Sequence, residues 1–272
     1  MSYTIELMCI IANASLSKDM EKAISLSRER EESGLGKKIL NQLEENLQIA
    51  KNEDIPICQD TGMAVVFIKI GQDVHIEGMN LEDAINEGIR QGYDEGYLRK
   101  SVVNDPIIRE NTKDNTPGII HYEIVAGDKI EITLAPKGFG SENMSKVYML
   151  KPADGVEGIK NAVIETVSEA GPNACPPIVV GVGIGGSFEY STYLAKKAIT
   201  RSLEKGSDKE HLRQLENELL DEINKLGIGP AGLGGRITAL GVNIESYPTH
   251  IAGMPVAINI SCHANRHETR II

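Results

Sequence analysis

Three cysteines of this 272-residue chain stand in loops rich in glycine, proline or amides. They are Cys58 in Pro56-Ile57-Cys58-Gln59-Asp60-Thr61-Gly62, Cys175 in Pro172-Asn173-Ala174-Cys175-Pro176-Pro177, and Cys262 in Asn259-Ile260-Ser261-Cys262-His263. There is no CxxC pair, which argues against a zinc ribbon and a thioredoxin-type redox pair. All three sit where strands or helices should end, so a fold can gather thiolates that are distant in sequence. Three thiolates on a four-iron cluster leave one iron without a protein ligand, and that open corner can act as a Lewis acid on a substrate. Cys9 differs: it lies in the apolar run Leu7-Met8-Cys9-Ile10-Ile11 and reads as a small core residue.

Other segments carry polar chemistry. Gly181-Val182-Gly183-Ile184-Gly185-Gly186 matches the dinucleotide pattern G-x-G-x-x-G between an expected strand and an expected helix. The acidic residue at the right distance, Glu204, ends a helix instead of a strand. The segment is therefore better read as a cradle of backbone N–H groups for a carboxylate or a cluster edge. Arg99, at an expected helix end, can offer a fork to a carboxylate. Asn111-Thr112-Lys113-Asp114-Asn115-Thr116-Pro117 and Lys137-Gly138-Phe139-Gly140-Ser141-Glu142-Asn143 are polar loops. His250 stands in a loop between the last strands. His263 and His267 flank Cys262 and suggest a weak Cys-His metal grouping. His75, His121 and His211 read as surface residues.

Those loops need elements to hold them. Ile39, Leu43, Leu47 and Ala50 mark one apolar stripe of a helix that Asp54-Ile55-Pro56 ends just before Cys58. Met63 to Ile70 reads as a buried strand, and Leu81 to Tyr97 as a helix capped by Asn80. Gly118 to Pro136 reads as a β-hairpin turning at Gly127-Asp128. Further helices are expected over Val156 to Ala170, Phe188 to Leu203 and Lys209 to Leu226, the last a solvated amphipathic helix with Leu212, Leu215, Leu219 and Ile223 in register. Short strands are expected at Pro177 to Val182, Ile237 to Ile244 and Val256 to Ile260. The fold class is α+β: helices around a mixed sheet with a hairpin, residues 1–272 forming one structural unit.

The bulk numbers exclude some partners. With 28 basic against 39 acidic side chains the net charge is −11, which disfavours nucleic acid. The apolar runs are far shorter than the roughly 20 residues of a spanning helix. The start, Met1-Ser2-Tyr3-Thr4-Ile5-Glu6, has no basic n-region, so a reduced cytoplasm is the expected compartment.

Together, Cys58-Gln59-Asp60-Thr61-Gly62, Asn111 to Thr116, Lys137 to Asn143 and Gly181 to Glu189 resemble one family over residues 10 to the C-terminus. It is the α subunit of the class I, iron–sulfur fumarate hydratases and the related L-tartrate dehydratases. The resemblance implies a [4Fe–4S] cluster on Cys58, Cys175 and Cys262. It implies Gln59 and Asp60 as a substrate-contacting pair, Arg99 as the carboxylate-binding arginine, His250 as the active-site histidine and Gly140 as the loop glycine near substrate. Asp60 and His250 are the expected catalytic groups. Many members carry glycine where this chain has Phe139. The resemblance also implies a separate β subunit that completes the site, in a heterotetramer of two of each. Hydration of fumarate to L-malate is the leading expectation, and L-tartrate dehydration is the nearest alternative. A nucleotide-dependent oxidoreductase and an iron–sulfur electron carrier are the alternatives from other classes.

Overall fold

The computed structural model describes residues 1–272. In chain order its helices are α1 (Ser2–Ala14), α2 (Lys18–Arg30), α3 (Gly34–Glu53), α4 (Leu81–Glu95), the single turn α5 (Phe139–Glu142), α6 (Gly155–Ala170), α7 (Phe188–Ala198) and α8 (Glu210–Ile223). Its strands are β1 (Met63–Gly71), β2 (Ile119–Val125), β3 (Ile130–Lys137), β4 (Lys146–Leu150), β5 (Ile178–Gly186), β6 (Ala239–Thr249), β7 (Met254–Ser261) and β8 (Glu268–Ile271). The α+β class is as expected. The chain forms two compact units, one of Met1–Ser17, Asn46–Phe139 and Arg266–Ile272, the other of Lys18–Glu45 and Gly140–Asn265. Each has its own mixed sheet where a single sheet was expected.

In the first unit the strand order is β2-β1-β3-β8. Ala64 to Phe67 and Ile68 of β1 are all buried, so this strand is covered on both faces and takes a central place. It runs parallel to β2, pairing Val65 with Ile119, and antiparallel to β3, pairing Met63 with Lys137. The expected hairpin over Gly118 to Pro136 is therefore corrected: both strands exist, but β1 lies between them. The Gly127-Asp128 connection crosses the end of β1, where Gly71 N donates to Lys129 O and Gln72 N to Val125 O, each at 2.8 Å. Period-two patterning identifies strands, while partner choice depends on which strand most needs cover. Helices α1 and α4 supply that cover, with Ile5, Met8, Cys9, Ile85, Ile89 and Tyr93 packed in one core with Val66, Ile68 and Leu134. Asn80 caps α4 as expected, its side chain accepting from Glu82 N at 2.9 Å.

In the second unit the order is β4-β7-β5-β6, with β5 parallel to β6 and antiparallel to β7. Val163 and Val167 of α6 and Leu215, Leu219 and Ile223 of α8 form a core with Val180, Val182, Ile244 and Ile258. The apolar register expected for the charged α8 segment is the one that is buried. Strand β5 alternates: Val180 and Val182 face this core, while Gly181 and Gly183 face α7. A Cβ on Gly181 would meet Ala195 O at 2.3 Å, and one on Gly183 would meet Ser191 O at 2.0 Å. The G-x-G pattern is thus a close helix–strand contact, and Gly181 to Gly186 are strand residues where a backbone cradle was expected. A nucleotide site loses its main support, because these glycines are occupied by the protein itself.

Candidate active site

Cys58, Gln59 and Asp60 follow one another in the loop that leads into β1. Gln59 Oε1 lies 3.4 Å from Cys58 Sγ. Thr61, 2% exposed, joins this loop to Arg99: its hydroxyl accepts from Arg99 N at 2.9 Å and donates to Arg99 O at 3.2 Å. The Gln-Asp pair and the expected carboxylate-binding arginine are therefore tied through one side chain. Asp60 uses both carboxylate oxygens in the loop, Oδ1 accepting from Gly62 N at 3.0 Å and Oδ2 from Phe139 N at 2.9 Å. Phe139 thus starts α5 on a carboxylate, and its ring is half exposed.

Behind this loop lies a polar support that the sequence reading missed. Tyr93 Oη lies 2.8 Å from Thr61 O and 3.0 Å from Gly62 O. Burial drives the Tyr93 phenol strongly upward in pKa, so it is a neutral donor. Asn115 is fully buried: Oδ1 accepts from Ser101 N at 2.7 Å and Val102 N at 3.2 Å, and Nδ2 donates to Gly62 O at 3.2 Å. Arg266, 4% exposed, donates from Nη2 to Asp60 O. The dense polar loop at Asn111 to Pro117 accordingly has a structural purpose, and only Asn115 of it reaches the interior.

In the second unit Cys175 follows a 3₁₀ turn, Gly171–Ala174, and has φ +53°. His263, next to Cys262, holds that loop: its N–H donates to Cys175 O at 3.4 Å and its Nδ1 lies 3.1 Å from the same oxygen. A carbonyl only accepts, so Nδ1 carries the ring proton. The loop of Cys175 is thereby tied to the residue that follows Cys262. His267 belongs to the first unit, so the Cys-His grouping reduces to Cys262 and His263. Gly140 faces the Cys175 turn, with Asn173 O the nearest atom to its would-be Cβ at 3.9 Å. Two residues on, Glu142 pairs with Lys196 and accepts from Asn259 Nδ2 at 2.9 Å, anchoring the α5 turn to β7, the strand that ends before Cys262. Burial pulls the Lys196 ammonium down in pKa, and Glu142 opposes it.

His250 stands apart, in the exposed turn between β6 and β7, where its Nδ1 accepts from Ala252 N at 3.2 Å. The pairing of Thr249 with Gly186 puts it beside the strand end that precedes α7. His121, expected on the surface, is half-buried and stacks on Phe67 at 5.2 Å.

The thiols differ in exposure. Cys9 is fully buried, and burial, with Glu6 adding, pushes its thiol far up in pKa. Cys58, Cys175 and Cys262 form no disulfide and are reachable by solvent. Three reachable soft donors with the fourth thiol sequestered suit a thiophilic metal in kind. Within neither unit are three or more His, Cys, Asp or Glu side chains already gathered around a metal position.

Residues 2–271 match the family model for fumarate hydratase (fumerase). This chain belongs to that family. Its relatives include the putative L(+)-tartrate dehydratase subunit alpha of Methanocaldococcus jannaschii, 46% identical over a 264-residue alignment that covers 94% of this chain and 92% of that one. The L(+)-tartrate dehydratase subunit alpha of Escherichia coli is 32% identical over 257 residues, 93% of this chain and 84% of its own length. That of Shigella sonnei gives the same figures. As a fumarase-family protein the chain falls among the hydro-lyases. No helix in it is long and apolar enough to cross a membrane.

Proposed function

We propose that this chain is the α subunit of a [4Fe–4S]-dependent hydro-lyase that interconverts fumarate and L-malate. Cys58, Cys175 and Cys262 would hold the cluster, and Gln59, Asp60, Arg99, Gly140 and His250 would surround the dicarboxylate. The observation that carries this reading is the Thr61 bracket, which ties the loop of Cys58, Gln59 and Asp60 to Arg99. When bound, the cluster supplies a Lewis-acidic iron for a substrate oxygen. The remaining chemistry falls to the protein's own groups. Arg99 offers two parallel N–H donors to one carboxylate and fixes the substrate's orientation. Asp60 and His250 are the groups that can hold or move the proton at the hydroxyl oxygen.

A second reading, L-tartrate dehydration, is favoured by the names of the relatives. Those relatives are called alpha subunits, which supports a separate β chain as partner, in a heterotetramer of two of each. The test is an anaerobic assay of the reconstituted chain on fumarate, L-malate and L-tartrate, with and without the β chain. Turnover only with the partner is expected, and the preferred substrate decides between the two readings. Full turnover by the isolated chain would contradict the split site.

A further inference from the structure

Glu31, at the end of α2, is 1% exposed although it is a carboxylate. Its oxygens accept four backbone N–H groups: Glu32 N and Ser33 N at 2.8 Å, Arg236 N at 3.0 Å and Ile237 N at 2.8 Å. The last two lie about two hundred positions away, at the end of the glycine-rich segment 227–237. A Cβ on Gly235, which has φ +127°, would come within 2.7 Å of Glu31 Oε1, so glycine there is what admits the carboxylate. The same segment leans on the Cys175 loop. Ala231 N donates to Pro176 O at 2.8 Å, and the would-be Cβ of Gly232 lies 2.3 Å from Pro172 Cβ. Just beyond it, Thr238 O accepts from Ile178 N at 2.9 Å.

A charge buried this deeply is costly unless every lone pair finds a donor. Glu31 meets that demand by drawing one loop inward, and that loop presses on the residues either side of Cys175. We propose that Glu31 is a positioning residue for Cys175: it acts through segment 227–237 to hold the thiol where a metal cluster can use it. The proposal rests on the cluster reading given above. Glu31 touches neither substrate nor any cysteine; its effect passes through the Ala231–Pro176 and Gly232–Pro172 contacts.

The test is amide-resolved hydrogen exchange on the full-length apo chain, followed by iron loading of the same samples. In Glu31→Ala the Arg236 and Ile237 amides, and with them Ala231 and His263, should exchange about ten- to a hundredfold faster, the scale of lost charged hydrogen bonds, while β5 amides such as Val182 stay unchanged. Iron should then dissociate faster from the loaded variant. Glu31→Gln, which keeps one acceptor oxygen, should fall between wild type and Glu31→Ala. If Glu31→Ala does not fold, Gly232→Ala pushes on Pro172 from the other side, and should speed Ala231 exchange and iron loss with Arg236 and Ile237 still protected. Faster exchange spread evenly over the whole unit, or wild-type iron retention in the variants, would overturn the positioning role. Failure of the wild type itself to load iron would instead overturn the cluster reading.

Discussion

Replacing Asn115 with alanine tests whether the Arg99 segment is held from inside the first unit. The side chain is fully buried and makes three hydrogen bonds, to Ser101 N, Val102 N and Gly62 O. Alanine strands two backbone N–H groups, at about 1 kcal/mol each, and Tyr93 remains as a donor near Gly62 O. Asn115 also has φ +62°, a region that asparagine tolerates and alanine pays about 1 kcal/mol to occupy. The expected loss is therefore about 3 kcal/mol. With a urea m-value of about 3 kcal/mol/M for a chain of this size, the unfolding midpoint should fall by about 1 M with m unchanged. Asn115→Gly keeps the hydrogen-bond loss but removes the φ cost, so it should recover about 1 kcal/mol of the difference. Anaerobic kinetics of the assembled enzyme should show a raised KM, because Ser101 and Val102 lie two and three residues after Arg99. A midpoint shift under about 0.3 M, or equal values for Ala and Gly, would refute the reasoning.

Other consequences can be measured with the same material. Arg99→Lys replaces a fork with a point charge and should lower kcat/KM by about one to three orders of magnitude; unchanged kinetics would return Arg99 to a solvated surface role. Burial raises the Glu31 pKa, but its four backbone donors outweigh that and leave it below the usual 4.5. A group with a lowered folded pKa contributes fully above its unfolded value and loses that contribution as pH falls through the folded one. The stability gap between wild type and Glu31→Gln should thus be level near neutrality and shrink only below about pH 4.5; a gap that widens in acid would contradict the assignment. Gly183→Ala drives a Cβ into Ser191 O, so α7 must shift from β5, and a loss of about 2 kcal/mol or more is expected on urea unfolding.

Much of this molecule is visible in its side-chain order, and the limits are physical. The α8 stripe and the Asn80 cap were legible because each is a local pattern whose partners lie within a few residues. Strand pairing was not, because β2 and β3 alternate as a hairpin would, while β1 claims the place between them. The glycines of β5 looked like a ligand loop because a strand pressed by a helix and a loop pressed by a phosphate both require a missing Cβ. The cysteine loops stood out by their composition, while the Gln59-Asp60 pair was implied by the family resemblance alone. The supporting roles of Thr61, Asn115, His263 and Glu31 were not legible, since they depend on contacts tens to hundreds of residues away. Asn115 carried one faint signal, an amide in a polar loop just before Thr116-Pro117.

The proposed ligand set divides one buried thiol, Cys9, from three reachable ones. Iron and sulfide should be counted per chain after anaerobic reconstitution, for the wild type and for each cysteine changed to serine. About four irons are expected in the wild type and in Cys9→Ser, with a marked loss in Cys58→Ser, Cys175→Ser and Cys262→Ser. Full iron in any of those three, or its loss in Cys9→Ser, would contradict the ligand set and the function built on it.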